Sequence, residues 1–312
     1  MGRYFRQTFG TSVYKVPVSI MGFTCPNIDG TVAKGGCIYC ENESFSPNLS
    51  QGNSSPKFRL SHTSPNPFLE EQLAQLEAQV ADTKSKLVHK FKAKQFLVYF
   101  QSFTNTYAPL DTLKALYERA LRFEGVVGIS IGTRSDAMTE EVLEYLGGLA
   151  KKWEIWVEFG VQSCHDETLK RINRGHDFEN ASLWIEKCKA KGLKVCAHVI
   201  FGLPGENQAM MLESVQKTAA LGINAIKIHP LYVTKRTALA NEYAKGRFVP
   251  MEEALYLDTL VKTLHLLPSD VVVQRITAGV DDDTLIAPAW CGNLKQQRKH
   301  IRLALEEAGL YY

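Results

Sequence analysis

The apolar residues of this chain follow two alternating patterns. Short, nearly continuous apolar runs at Val16 to Ile20, Gln95 to Gln101, Val126 to Ile131, Ile155 to Phe159, Leu193 to Phe201 and Ala225 to His229, with a later one at Val271 to Gln274, predict strands. Between them, apolar residues recur at helical spacing over about 67–93, 110–124, 139–152, 178–191, 207–221 and 251–267, with a last stretch at about 293–308. Strand and helix alternate through six successive steps, and each helix must return the chain to start a parallel neighbour. The pattern therefore predicts an α/β fold, a partial (β/α)6 barrel of the TIM type, with a doubly wound open sheet as the alternative. No internal repeat stands out, and no linker is sharp enough to separate independent domains. Residues 1–250 are expected to form the core, with 251–312 as a C-terminal extension packed on it.

In such an architecture reactive groups gather at the carboxyl ends of the strands, where loops vary without disturbing the core. There the chain reads "FTCPN", "FQSFTNTYAP", "SIGTRSD", "EFGVQS", "VIFGLPGE" and "KIHPLYVTKRT", each polar, glycine-bearing or both directly after an apolar run. The segment from Glu41 to Pro67 is rich in Ser, Asn, Pro and Gly and reads as a long loop over one end of the sheet.

Composition narrows the class. The 312 residues are 45% hydrophobic, which suits a substantial core and excludes a disordered or fibrous chain. No apolar run is long enough to cross a membrane, and the N-terminal "MGRYFRQTFGTSVYK" lacks the apolar stretch of a secretory signal, so a soluble, cytoplasmic protein is expected. The formal charge of +3 is small for the length and gives the chain as a whole no nucleic-acid footprint. Local basic residues at Lys295, Arg298, Lys299, His300 and Arg302 read either as a phosphate contact or as a solvated helix face.

Seven cysteines are an odd number, and four of them, Cys164, Cys188, Cys196 and Cys291, are scattered, which argues against a disulfide framework. The other three, Cys25, Cys37 and Cys40, share the stretch "MGFTCPNIDGTVAKGGCIYCENESF". Three thiolates with flanking glycines suit a soft metal or an iron–sulfur cluster, because the backbone can fold closely round it. A closed structural zinc site needs four protein ligands, and the loop has no fourth Cys or His; Cys291 or His62 would have to complete one. Three ligands on a cubane cluster instead leave one iron open, and an open iron implies chemistry.

The stretches "CPNIDGTVAKGGCIYC", "YFQSFTNTYAP", "IGTRSDAM", "VEFGVQSCHDETLKRINRGHDF", "KVCAHVIFGLPGE", "IKIHPLYVTKRTALA" and "LIAPAWC" span residues 25 to 291. Together they resemble radical S-adenosylmethionine (SAM) enzymes, in particular the YhcC/YtqA-like family. That family is itself similar to the radical domain of the Elongator catalytic subunit and to oxygen-independent coproporphyrinogen oxidase. The resemblance implies a partial barrel of the radical SAM type. It also implies a 4Fe-4S cluster on Cys25, Cys37 and Cys40, with S-adenosyl-L-methionine chelating the open iron through its amino and carboxylate groups. One-electron reduction would cleave the sulfonium to methionine and a 5′-deoxyadenosyl radical that takes hydrogen from a substrate. An external one-electron donor of the flavodoxin or ferredoxin type is implied as partner. The commonest family spacing has three residues between the first two cysteines; the eleven here match the YhcC-like variant.

By the same resemblance Tyr39 stands where the family keeps an aromatic against the adenine. Gln101 to Asn105 replaces the glycine-rich segment that receives the SAM amine, and Ser102, Thr104 and Asn105 offer oxygens to that donor-only ammonium. Glu158, expected at the end of the fourth strand, and Gln162 and Ser163, expected in the turn after it, offer groups for ribose hydroxyls or the methionyl end. Arg171 and Arg174 offer the fork geometry that suits the cofactor carboxylate. Gly202 to Gly205 form a turn for close approach to adenine, and the backbone near His229 and Leu231 is expected against the same ring. Each has a plain alternative in packing, a strand-end carboxylate, an exposed helix-end arginine or an ordinary turn. His198 either lines a substrate cavity or is a core histidine; His176 either serves the site or caps the next helix. Cys291 reads as a redox partner, a second-metal ligand or an inert thiol, and Asp281 to Asp283 as a solvated turn. The substrate stays open between a transfer-RNA nucleoside, by family analogy, and a small molecule or peptide. A zinc-stabilised α/β binding protein and an iron–sulfur redox or carrier protein are the readings from other classes.

Overall fold

The computed structural model describes residues 1–41 and 58–310, so most of the expected loop from Glu41 to Pro67 lies outside the described residues. Among the described residues nine strands run in chain order: β1 (Val13–Val18), β2 (Gln95–Phe100), β3 (Val126–Thr133), β4 (Glu154–Gln162), β5 (Lys194–Phe201), β6 (Ala225–Pro230), β7 (Val233–Thr234), β8 (Val272–Arg275) and β9 (Leu285–Ala287). The helices are α1 (Gly2–Phe9), α2 (Leu69–Phe91), α3 (Leu110–Leu121), α4 (Glu140–Ala150), α5 (Asp166–Arg171), α6 (Phe178–Ala190), α7 (Gln208–Ala220), α8 (Ala238–Ala244), α9 (Glu253–Leu266) and α10 (Leu294–Glu307).

β1 to β6 and then β8 form one seven-stranded sheet in that order, with parallel pairing of β1 to β2, β2 to β3, β3 to β4 and β6 to β8. A parallel neighbour requires a crossover, and at least one helix stands between each pair of sequential sheet strands. β7 and β9 make a separate antiparallel pair. Covered parallel sheets bury both faces, and Phe96, Leu97, Val98 and Phe100 of β2 are all buried, as are Ile129 and Ile131 of β3. Polar caps set several helix starts: backbone N–H groups of Val142, Met210 and Gln296 donate to Thr139, Asn207 and Asn293 at 3.3, 3.0 and 2.9 Å.

The predicted elements all form, with shifted ends. β1 begins at Val13 and stops at Val18, short of the expected Ile20, because the backbone at Ser19 and Met21 is taken by side chains of α2. Pro17 is accepted within β1 because that strand stands at the edge of the sheet. The periodicity missed α1, α5 and α8, which are eight, six and seven residues long, too short to show a helical repeat.

The chain divides into two compact units, each assembled from separate segments. The first takes the chain up to Lys34, the stretch ending at Gly160, and Leu183–Cys196. Its core includes Phe5, Leu76, Val80, Phe100, Leu116, Tyr117 and Trp156. The second takes the short piece beginning at Gly35, then Val161–Ser182 and the chain from Ala197 onward. Its core includes Leu169, Ile172, Leu203, Leu231, Val233 and Leu239. No helix of the described residues is long and apolar enough to cross a membrane.

Candidate functional site

In the first unit the approach to Cys25 is fixed by glutamines. Gln72, Gln75 and Gln79 lie at helical spacing on α2, so one face of the helix presents all three amides. Gln79 exchanges two hydrogen bonds with the Ser19 backbone, both 2.8 Å; Gln75 accepts from Met21 N–H and Gln72 donates to Met21 C=O, again at 2.8 Å. The chain then reaches Cys25 beside the segment after β2: Thr104 N–H donates to Thr24 C=O at 3.2 Å, and Thr104 Oγ1 donates to Cys25 Sγ at 3.1 Å.

That segment supplies the three residues expected at an ammonium group, and the structure separates them. Ser102 Oγ lies 2.6 Å from Ser19 Oγ. Asn105 Nδ2 donates to the carbonyls of Ser102 and Gly132, both at 2.9 Å, which ties the ends of β2 and β3 together. With its amide nitrogen so used, Asn105 Oδ1 is a buried acceptor with no hydrogen-bond partner among the described residues. Such an atom costs stability unless a donor reaches it.

In the second unit Cys37 and Cys40 sit on one tight turn, Cys40 N–H donating to Cys37 C=O at 2.9 Å. The segment after α5 holds this turn: Asn173 Nδ2 donates to Gly36 C=O at 2.7 Å, and Ile38 N–H donates to Ile172 C=O at 3.1 Å. Arg174 follows, 5% exposed, with Nη1 3.7 Å from Cys37 Sγ. A guanidinium beside a sulfur favours the thiolate. Tyr39 packs against the cluster of Leu169, Ile172, Leu203 and Leu231. Burial first, then the Cys37 thiol, push its phenol well above the usual range.

The other expected residues fall into different places. Gln162 is the last residue of β4 and is buried with φ of 71°, a left-handed backbone that few non-glycine residues adopt. Gly202 has φ of 84°, and a Cβ there would lie 3.0 Å from Met251 Cβ, so both the backbone and the close neighbour favour glycine. Its N–H donates to Met211 Sδ at 3.1 Å. His229 of β6 and His198 of β5 face each other with ring centroids 5.8 Å apart, both partly exposed. Leu231 lies just past β6, and its N–H donates to Phe201 C=O at 2.8 Å.

Three expectations of placement change, the first being Gln162, which ends β4 instead of lying in the turn after it. Glu158 is not at the end of its strand but in the middle of β4, where Lys15 Nζ and Ser130 Oγ each donate to its Oε1 at 2.6 Å. The strand runs on to Gln162, which moves the carboxylate into the sheet and gives it neighbours on β1 and β3. Arg171 and Arg174 are not equivalent: Arg171 ends α5 exposed, with its guanidinium over Gly205, while Arg174 is buried at the sulfur. His176 has Nδ1 3.0 Å from Asp177 C=O, next to its own residue.

All seven cysteines are free thiols. Cys291 is fully buried, and burial pushes its thiol up to about 12, which matches the inert reading. Asp282 and Asp283 are exposed, bonding Thr284 and Lys235, as a solvated turn would. The sequence reading passed over the residues that position the cysteine loop, Gln72, Gln75, Gln79 and Asn173. The signal available was the spacing of the glutamines along α2.

The chain matches the family model of the Radical SAM superfamily over residues 30–218 and that of the Radical SAM C-terminal domain over residues 223–306. It is 35% identical over 308 residues to the uncharacterized protein YtqA of Bacillus subtilis, covering 99% of this chain and 89% of that one. It is 28% identical over 171 residues to the tRNA uridine(34) acetyltransferase of Methanocaldococcus infernus, covering 54% of this chain and 32% of that one. Among solved structures, the archaeal Methanocaldococcus infernus Elp3 with an N-terminal deletion superposes with a TM-score of 0.62 at 18% identity, covering 96% of this chain and 65% of that one. At that identity the likeness is one of fold, and the fold is the partial barrel expected from the sequence.

Proposed function

The chain belongs to the radical SAM superfamily and is an enzyme of it, and from that premise we propose a cluster-dependent cleavage of SAM directed at RNA. In this reading Cys25, Cys37 and Cys40 hold a 4Fe-4S cluster. The observation that carries it is the donor set on two of those sulfurs, Thr104 at Cys25 and the buried Arg174 at Cys37. Both donors favour thiolate over thiol, which is the form that binds iron. Asn105 Oδ1 fits the same picture as an acceptor waiting for the ammonium of SAM. When bound, the cluster supplies one-electron cleavage of SAM to methionine and a 5′-deoxyadenosyl radical, with an external one-electron donor as partner.

The chain's own residues then bind, orient and exclude water. Arg174 is assigned to the SAM carboxylate as well as to Cys37, and Tyr39, Gly202, His229 and Leu231 to the adenine. Gln162 is assigned to the ribose, Ser102 and Thr104 to the segment that presents Asn105. Glu158 and Arg171 receive no part in SAM binding, since one is engaged by Lys15 and the other is exposed. Residues 1–250 carry this chemistry and 251–312 form the extension. The substrate class is a transfer-RNA nucleoside, supported by the likeness to a tRNA uridine(34) acetyltransferase.

Anaerobic purification followed by dithionite and SAM tests the reading. A brown protein with about four irons per chain that forms 5′-deoxyadenosine is expected. A fully loaded cluster with no 5′-deoxyadenosine would return the chain to the cluster-carrier reading, and a colourless protein retaining zinc would sink both. The substrate class is tested by comparing transfer-RNA nucleosides from cells with and without the protein; identical profiles count against it.

A further inference from the structure

A cavity of about 930 Å³ lies between the end of β8 and α10, far along the chain from the cysteine loop. Its floor includes Ile276, Ile301 and Leu305, all buried. Its walls carry five full cations, Arg275, Lys295, Arg298, Lys299 and Arg302, against one lining carboxylate, Glu306; His300, also in the lining, is engaged by Glu253 at 2.9 Å. The whole chain has a formal charge of only +3, so positive charge is concentrated here and nearly balanced elsewhere.

A solvated helix face usually pairs its cations with acids one turn away, as Lys86 does with Asp82 on α2 and Lys262 with Asp258 on α9, both at 2.7 Å. α10 is built differently. It has no acidic residue before Glu306, and Lys295, Arg298 and Lys299 are exposed and stand in no ion pair among the described residues. Arg302 lies 3.8 Å from Glu306 at the surface, an arrangement worth little. The first turn of α10 also has no acid, so the positive end of the helix dipole adds to the side-chain charge.

We propose that this groove is a docking surface for the sugar–phosphate backbone of RNA. Lys295 and Arg302 stand about 10 Å apart along the helix axis at 1.5 Å per residue. That span is several times the spacing of about 3.4 Å per strand at which phosphates follow one another along a duplex DNA axis, so a wall of this length faces more than one phosphate of a nucleic-acid strand and not a single anion. A concave site with an apolar floor accepts a strand and the face of a base, whereas a lipid surface would meet only the rim. The choice of RNA rests on the transfer-RNA substrate reading above; the groove itself does not depend on the cluster.

Fluorescence anisotropy of the full chain, prepared anaerobically, with labelled unfractionated transfer RNA at 50 to 200 mM salt tests this. The expected log–log slope of affinity against salt is roughly −2 to −4, for about three to five phosphates. The variant K295Q/R298Q/K299Q is expected to bind about tenfold or more weakly and to lose about two to three units of slope. Its 5′-deoxyadenosine formation without substrate should be unchanged, which separates the groove from the cluster chemistry. R275Q, on β8 rather than α10, should weaken binding as well, which guards against a folding defect in α10. Wild-type affinity in these variants overturns the proposal even if transfer RNA binds. No binding by the wild-type chain, or tighter groove-dependent binding to a DNA duplex or to phosphatidylserine vesicles, overturns it too, while leaving SAM cleavage to stand on its own test.

Discussion

Cys37 and Cys291 belong to the same unit and are both buried, at 9% and 0% exposure. Their surroundings differ in kind. Cys291 sits in a short turn packed so tightly on Gly279 that a Cβ there would meet its carbonyl at 1.8 Å, and burial pushes its thiol to about 12. Cys188 is similar, with burial the only cause of a thiol at about 12. Cys37 has a guanidinium nitrogen at 3.7 Å and an aromatic neighbour in Tyr39. Burial by itself silences a thiol; burial beside a cation prepares it as a ligand.

The comparison can be broken most directly by removing the sulfurs one at a time. Alanine at Cys25, Cys37 or Cys40 should take iron from about four per chain to under one, whereas alanine at Cys188 or Cys291 should leave it intact; iron assay and the visible spectrum decide. A cluster retained by Cys37→Ala would end the distinction. Alkylation of the iron-free protein gives the next largest contrast. Cys188 and Cys291, protonated until the pH nears 12, should react with iodoacetamide at pH 8 about a thousandfold more slowly than a free cysteine. The sign follows from the raised values: their reaction rises with pH and does not level off below about 12.

The two arginines sharpen the same contrast through charge. Arg174→Gln should lower 5′-deoxyadenosine formation about 30- to 150-fold, the value of a charge-assisted hydrogen bond of about 2 to 3 kcal/mol. Arg171→Gln should stay within about twofold, as exposed arginines do. Gly202→Ala should cost about 1 to 2 kcal/mol in a urea titration, since an alanine there must adopt a left-handed backbone. The smallest change is expected from Thr104→Val. Loss of one hydrogen bond to Cys25 Sγ should make the cluster potential more negative by roughly 20 to 60 mV, with iron content unchanged. A redox titration followed by electron paramagnetic resonance measures it.

Much of the fold was legible because each strand and long helix carries its own period of apolar residues, and those periods do not depend on distant neighbours. The sheet strands and long helices formed near their expected ends, and what was missed was short. The site was less legible. That Cys25, Cys37 and Cys40 stand out from the four scattered cysteines followed from loop composition and spacing. That Arg174 and not Arg171 lies at a sulfur did not, because the two are three residues apart in one polar stretch and differ only in how the chain turns after α5. Glu158 was misplaced because β4 runs three residues past the expected Phe159, to Gln162, where the apolar run has already given way to polar residues.

By itself the sequence determined the alternation of strand and helix, the family, and which thiols stand together in one loop, since all are carried by local pattern and spacing. Only the tertiary structure decided which donor faces which sulfur, which acceptor is left waiting at Asn105, and that the basic residues of α10 line a groove instead of a convex face. Those depend on groups brought together from distant parts of the chain, and the strength of a hydrogen bond or a charge depends on that distance and on the water excluded around it.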